Sequence, residues 1–152
     1  MINNEEKLDL GDGSISAKIA SLTFIQAIVA RMASNSLKIK TFFIGFLGVF
    51  ITIKTNFTGV TTLSYLIPLI IAICSCYLDS YYLMQERIFR HVYNEKSQIK
   101  PNIEENFFNI KDSIKENSSK ETIIKTMKSP SITPFYLTSL LFIVLINWSV
   151  HA

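Results

Sequence analysis

The sequence predicts an all-α integral membrane protein with about three transmembrane helices, an N-terminal amphipathic helix and a small cytosolic helical region. Hydrophobic residues make up 49% of the 152 positions, and the mean hydropathy is +0.30. They gather in blocks instead of recurring with a period of 2 or 3.6, a pattern typical of lipid-embedded segments. The formal net charge of +3 is too small to indicate nucleic-acid binding by itself.

The N-terminal quarter precedes the first predicted span. Residues 1–13 are polar and carry two glycines, so they predict a flexible N-terminus. Residues 14–36 predict an amphipathic helix, because Lys18 and Arg31 interrupt its apolar residues and oppose a membrane span. The pair at 35–36, an asparagine and a serine, predicts a bend or a change of environment before the first span.

Residues 37–82 predict the first two transmembrane helices. The first span, 37–53, is about 25 Å long as a helix. Lys38 and Lys40 lie at its start, where their ammonium groups can reach the lipid headgroups. Small residues share one side of this helix, and such a face suits close helix packing. They are Thr41, Gly45, Gly48 and Thr52.

The second span covers about residues 61–78, and its helix is predicted to continue into water as far as about Asn94. Pro68 predicts a kink. The following region, 83–133, is polar and predicts a cytosolic helical region with a turn at 117–119.

The last apolar block, residues 134–152, predicts the third transmembrane helix. Orientation follows from lysine and arginine, of which five lie in residues 1–40 and nine in residues 83–133. Only Lys54 lies between the first two spans, and none lies in the third. By the positive-inside rule, the N-terminus is therefore predicted to be cytosolic and the C-terminus periplasmic.

A polar stripe follows one face of the second span and its extension. Helical spacing aligns Ser64, Pro68, Ala72, Ser75, Asp79, Tyr82, Glu86 and Arg90. A carboxylate near the membrane interface is costly if it faces lipid. In a ring of subunits, Ser75, Asp79 and Tyr82 are predicted to line the inner part of a pore, with Asp79 selecting for cations. The alternative is that Asp79 caps the interface and pairs with a nearby lysine or arginine.

Assembly into a cyclic homo-oligomer follows from two arguments. Three short spans cannot enclose a pathway alone, and a single subunit is expected to leave the polar stripe without a partner. Membrane lipids are the other expected partner.

A basic cluster lies directly after the second span. Arg87, Arg90 and His91 are predicted to bind an anionic ligand such as a nucleotide or an oligonucleotide. The alternative is that they anchor the chain to lipid headgroups. No catalytic motif, metal-ligand spacing or cofactor fingerprint is recognisable, and His151 falls on the opposite side of the membrane from His91. The sequence therefore predicts a protein that is not an enzyme.

Three segments resemble a known group of proteins. They are IVARMASNSLKIKTF, LDSYYLMQERIFRHVYN and SITPFYLTSLLFIVLINW. In their order and spacing they resemble small three-span transmembrane effectors of bacterial anti-phage defence, in particular the effectors of the Hailong system. The resemblance implies a homotetrameric ion channel in the bacterial inner membrane. Single-stranded DNA oligomers from a partner nucleotidyltransferase would hold it closed, and infection would open it and depolarise the cell.

The remaining alternative is a non-conducting membrane anchor or sensor subunit that recruits a cytosolic partner. It predicts normal growth when the chain is overexpressed, whereas the channel predicts toxicity.

Overall fold

Every element of the structure, a computed structural model that describes residues 4–56, 63–100 and 107–151, is an α helix. The predicted all-helical class is therefore confirmed for this part of the chain. The helices are α1 (Asn4–Asn56), α2 (Leu63–Gln98), α3 (Lys111–Lys120), α4 (Ile123–Met127) and α5 (Thr133–His151).

Two helices are long and apolar enough to cross a membrane, α1 over Gly13–Ile53 and α2 over Leu66–Gln98. The chain itself buries only 17% and 28% of their most apolar windows. A core helix of a soluble protein is mostly buried, so this exposure favours a lipid environment. Within α5, Thr133–Ile146 is a shorter apolar helix, and a third span at residues 134–152 stays a prediction.

Helix α1 runs without interruption from Asn4 to Asn56. The predicted bend at 35–36 is therefore wrong, because the Ser36 hydroxyl donates a hydrogen bond to Asp79 and does not compete for the helix backbone. The helix begins at Asn4, inside the stretch predicted to be flexible, and the flexibility of that stretch stays a prediction. Extending an existing helix costs less than nucleating one, which favours helix at these positions.

Helix α2 passes through Pro68 and Asn94 and ends at Gln98, which confirms its predicted extension beyond the apolar block. The turn predicted at 117–119 is wrong, since α3 continues to Lys120. The reason is the side chain of Asn117, which donates to the Ser113 carbonyl oxygen (2.9 Å) and to a Glu95 carboxylate oxygen (3.3 Å). These bonds hold Asn117 inside the helix, where it is buried.

The chain divides into two compact units, and α1 and α2 contribute to both. We call Met1–Met32 with Gln85–Thr122 the polar unit, and Ala33–Met84 with Ile123–Ala152 the apolar unit.

In the polar unit, side chains of α1 donate hydrogen bonds to backbone carbonyl oxygens at and after the C-terminal end of α2. Lys18 Nζ donates to the carbonyl oxygens of Ser97 (2.8 Å) and Ile99 (2.6 Å) at the C-terminal end of α2. These carbonyls have no partner within a helix, so the lysine acts as a cap. The Ser21 hydroxyl donates to the carbonyl oxygen of Phe107 (2.7 Å). Polar bonds thus fix the segments after α2 onto α1 within this unit.

The core of the apolar unit joins α1, α2 and α5. Phe43 is fully buried, with its ring centroid 5.5 Å from that of Tyr136 and 6.2 Å from that of Phe135. The other buried members of this core are Leu47, Ala72, Ile132 and Ile143. This packing positions the polar residues of the same three helices.

Candidate functional site

A charged cluster lies inside the apolar unit. The Asp79 side chain on α2 is fully buried, and its Oδ2 forms an ion pair with Lys40 Nζ on α1 at 2.6 Å. The Ser36 hydroxyl donates to Asp79 Oδ1, and Lys40 Nζ lies 3.2 Å from the Ser36 oxygen. The buried hydroxyl of Tyr136 on α5 faces the carboxylate without a hydrogen bond of ordinary geometry. We call these four residues the Asp79 cluster.

Helical spacing explains how the cluster forms. Ser36 and Lys40 are four residues apart, and Phe43 follows three residues later, so all three share one face of α1. Because that face carries the buried Phe43, it turns Ser36 and Lys40 towards α2. Lys40 is only 17% exposed, so its predicted reach to the lipid headgroups is wrong. The carboxylate attracts the ammonium group inwards instead.

The part of the polar stripe on α2 from Pro68 to Asp79 is a face that the chain buries. Pro68, Ala72, Ser75 and Asp79 are all buried, and Tyr82 is half-buried. The expectation that one subunit leaves the stripe without a partner is therefore wrong, since α1 and α5 supply the partners. The pairing of Asp79 with a lysine is present in the structure.

The pore-lining role of Ser75, Asp79 and Tyr82 stays a prediction. Ser75 and Asp79 are 5% and 0% exposed. Only a rearrangement of α1 or α5 would bring them to an aqueous pathway.

The small-residue face of α1 meets no other described part of the chain at its two glycines. A Cβ atom added at Gly45 or Gly48 would meet nothing within 4 Å. The hydroxyls of Thr41 and Thr52 donate to carbonyl oxygens of their own helix. This face is therefore exposed, and its two hydroxyls are bonded to their own helix.

The predicted ligand-binding residues are paired with carboxylates of the polar unit. Arg87 and His91 lie on either side of Glu121, at 3.7 Å and 3.9 Å. Arg90 pairs separately with Glu86, one helical turn away, at 2.7 Å. An anionic ligand would have to compete with both carboxylates, since neither Arg87 nor Arg90 carries a free charge.

Sequence reasoning missed several residues of these sites. The Asp79 cluster includes Ser36 and Tyr136, which lie 43 and 57 residues from Asp79 in the chain. The buried Glu121, which lies distant from Arg87 along the chain, was overlooked in the same way. A useful signal for Lys40 is its position on the same α1 face as Phe43.

Searches of protein-family models, curated proteins and solved structures find no match to the chain. Among the described side chains, no group of three or more histidine, cysteine, aspartate or glutamate residues is placed to hold a metal ion.

Proposed function

We propose that the chain is a subunit of a homo-oligomeric, gated ion channel of the bacterial inner membrane. It acts as a membrane-depolarising effector of anti-phage defence, with a cytosolic N-terminus and a periplasmic C-terminus. A nucleotide or single-stranded DNA ligand holds the channel closed. The resemblance of three segments to such effectors supports this assignment, and so do the exposed apolar side chains of α1 and α2.

The observation that carries the proposal is the ion pair between Lys40 and Asp79. Ionisable residues within apolar membrane helices are costly and mark ion pathways and switches. Well-packed apolar residues often replace a buried ion pair without loss of stability. Stability alone therefore does not account for this pair, and an electrostatic role does.

The pair would act as the closed latch of the channel. While Lys40 neutralises Asp79, the cluster presents no net charge to a passing cation. When α1 moves away from α2, the carboxylate is released, and a ring of such carboxylates attracts cations. The Tyr136 hydroxyl, which faces the carboxylate, is placed to donate a hydrogen bond to it in the released state.

The small-residue face supplies the contact between subunits. Thr41, Gly45, Gly48 and Thr52 allow a neighbouring helix backbone to approach closely, which is how helices associate in lipid. No described residue of the chain occupies the space beside the two glycines. The resemblance implies a tetramer.

The membrane potential of cells that express this chain alone tests the proposal. A voltage-sensitive dye should report rapid depolarisation after induction, because no inhibitor is made to hold the channel closed. Unchanged potential and normal growth would support the non-conducting anchor instead.

Glu121→Gln should raise the affinity for a single-stranded DNA oligomer, because it releases Arg87 and His91 from their carboxylate partner. Arg87→Ala should lower this affinity and reduce the salt slope by about one. Fluorescence polarisation with a labelled oligonucleotide at several salt concentrations measures both quantities. Lys111→Gln, which changes an exposed lysine elsewhere in the polar unit, is the control. If affinity and salt slope are the same in all three variants and the native chain, this cluster is not the ligand site.

A further inference from the structure

An open groove runs along the surface of the apolar unit between α1 and α2. Its volume is about 480 Å³, within the range of small-molecule sites in proteins. Five residues form its apolar walls, and Lys38 and Ser75 complete the lining. The five are Ile39, Phe42, Ile71, Cys74 and Leu78.

The groove has a charged end and an apolar end. Since Lys40 pairs with Asp79 while Phe43 shares a core with Ala72, α1 and α2 run antiparallel here. Lys38 therefore lies at the Leu78 end. From Leu78 to Ile71 the groove follows α2 for about 10 Å.

The Lys38 ammonium group is available to a ligand. Lys38 is exposed, and no acidic side chain in the described part of the chain pairs with it. Lys40 differs, because Asp79 neutralises it. The described side chains of the apolar unit include four lysines and a single carboxylate, so the unit as a whole carries more basic than acidic groups.

We infer that the groove binds one anionic phospholipid, with its phosphate on Lys38 and an acyl chain along the apolar walls. A lysine at the cytosolic end of a span meets the negatively charged leaflet, and its stem can reach the headgroup level. The apolar walls exclude a soluble anion as the main occupant, because they offer it no polar partner. This inference rests on membrane insertion and is independent of ion conduction.

Native mass spectrometry of the full chain tests the inference. The chain is released from nanodiscs that contain equal amounts of phosphatidylglycerol and phosphatidylcholine. The native chain should retain phosphatidylglycerol in preference to phosphatidylcholine. Lys38→Gln should reduce that preference about fivefold, the effect of one lysine near a charged membrane surface. Lys128→Gln, which changes an exposed lysine outside the groove lining, should leave it unchanged.

A second variant tests the acyl-chain part of the site. Cys74 is an exposed wall residue, and Cys74→Trp should fill the groove and reduce retention of both lipids. The inference is wrong if Lys38→Gln keeps the native preference. It is also wrong if Cys74→Trp changes only the oligomer distribution, because a second copy of the chain would then cover the groove. A chain absent from the membrane fraction would overturn insertion itself.

Discussion

Asp79→Ala is expected to destabilise the chain by about 3–5 kcal/mol. The substitution leaves the Lys40 ammonium group in an apolar setting without its counter-charge, and breaking a buried ion pair costs about this much. It also removes the acceptor of the Ser36 hydroxyl. The free energy of unfolding in mixed detergent micelles measures the loss.

A double variant distinguishes the effect of the lost counter-charge from the effect of the lost side-chain volume. Lys40→Met with Asp79→Leu removes both charges and keeps similar volumes, so it should recover most of the stability. Glu116→Gln, which breaks an exposed ion pair with Lys120, should leave the unfolding free energy unchanged. If Asp79→Ala is as stable as the native chain, the ion pair is not effectively buried. If the double variant is as unstable as Asp79→Ala, the loss of stability comes from lost packing instead.

Opposite shifts in ion selectivity are expected from removing the two charges separately. Lys40→Met leaves one unpaired carboxylate in each subunit, so the ratio of potassium to chloride flux should rise about tenfold. Asp79→Asn leaves an unpaired ammonium group and should lower the ratio by a similar factor. Charges a few ångströms from an ion in a low-dielectric pathway are strong enough for this effect. Ion flux from liposomes measures it, normalised to the folded protein that each variant yields.

The control for these two variants is Glu116→Gln, which removes one negative charge, as Asp79→Asn does, but in the polar unit. It should keep the native flux ratio. If Lys40→Met and Asp79→Asn also keep that ratio, the Asp79 cluster does not lie on the ion pathway.

Local patterns were sufficient to predict much of the fold. The apolar blocks identified α1 and α2, and the absence of a breaker before Asn94 showed that α2 extends beyond its apolar part. The errors came from residues that are at least as common in bends and turns as in helices. Ser36 and Asn117 are frequent in bends and turns, but here each side chain bonds to a residue far along the chain.

The sequence predicted only part of the candidate site. Periodicity correctly aligned Ser75 and Asp79 on one face of α2. It could not show whether that face meets other helices of the same chain, a second subunit or water. The answer depends on which helices α2 packs against, and the contributions of Lys40 and Tyr136 become apparent only after α1, α2 and α5 are packed.

The most direct test of the central claim is potassium flux through the purified native chain in liposomes. The latch account predicts a basal flux in the absence of ligand that a single-stranded DNA oligomer suppresses. It also predicts faster flux for Lys40→Met, in which the carboxylate of Asp79 is no longer neutralised. If liposomes that contain the inserted, oligomeric chain release potassium no faster than protein-free liposomes, the claim is contradicted. The membrane anchor is then the better description.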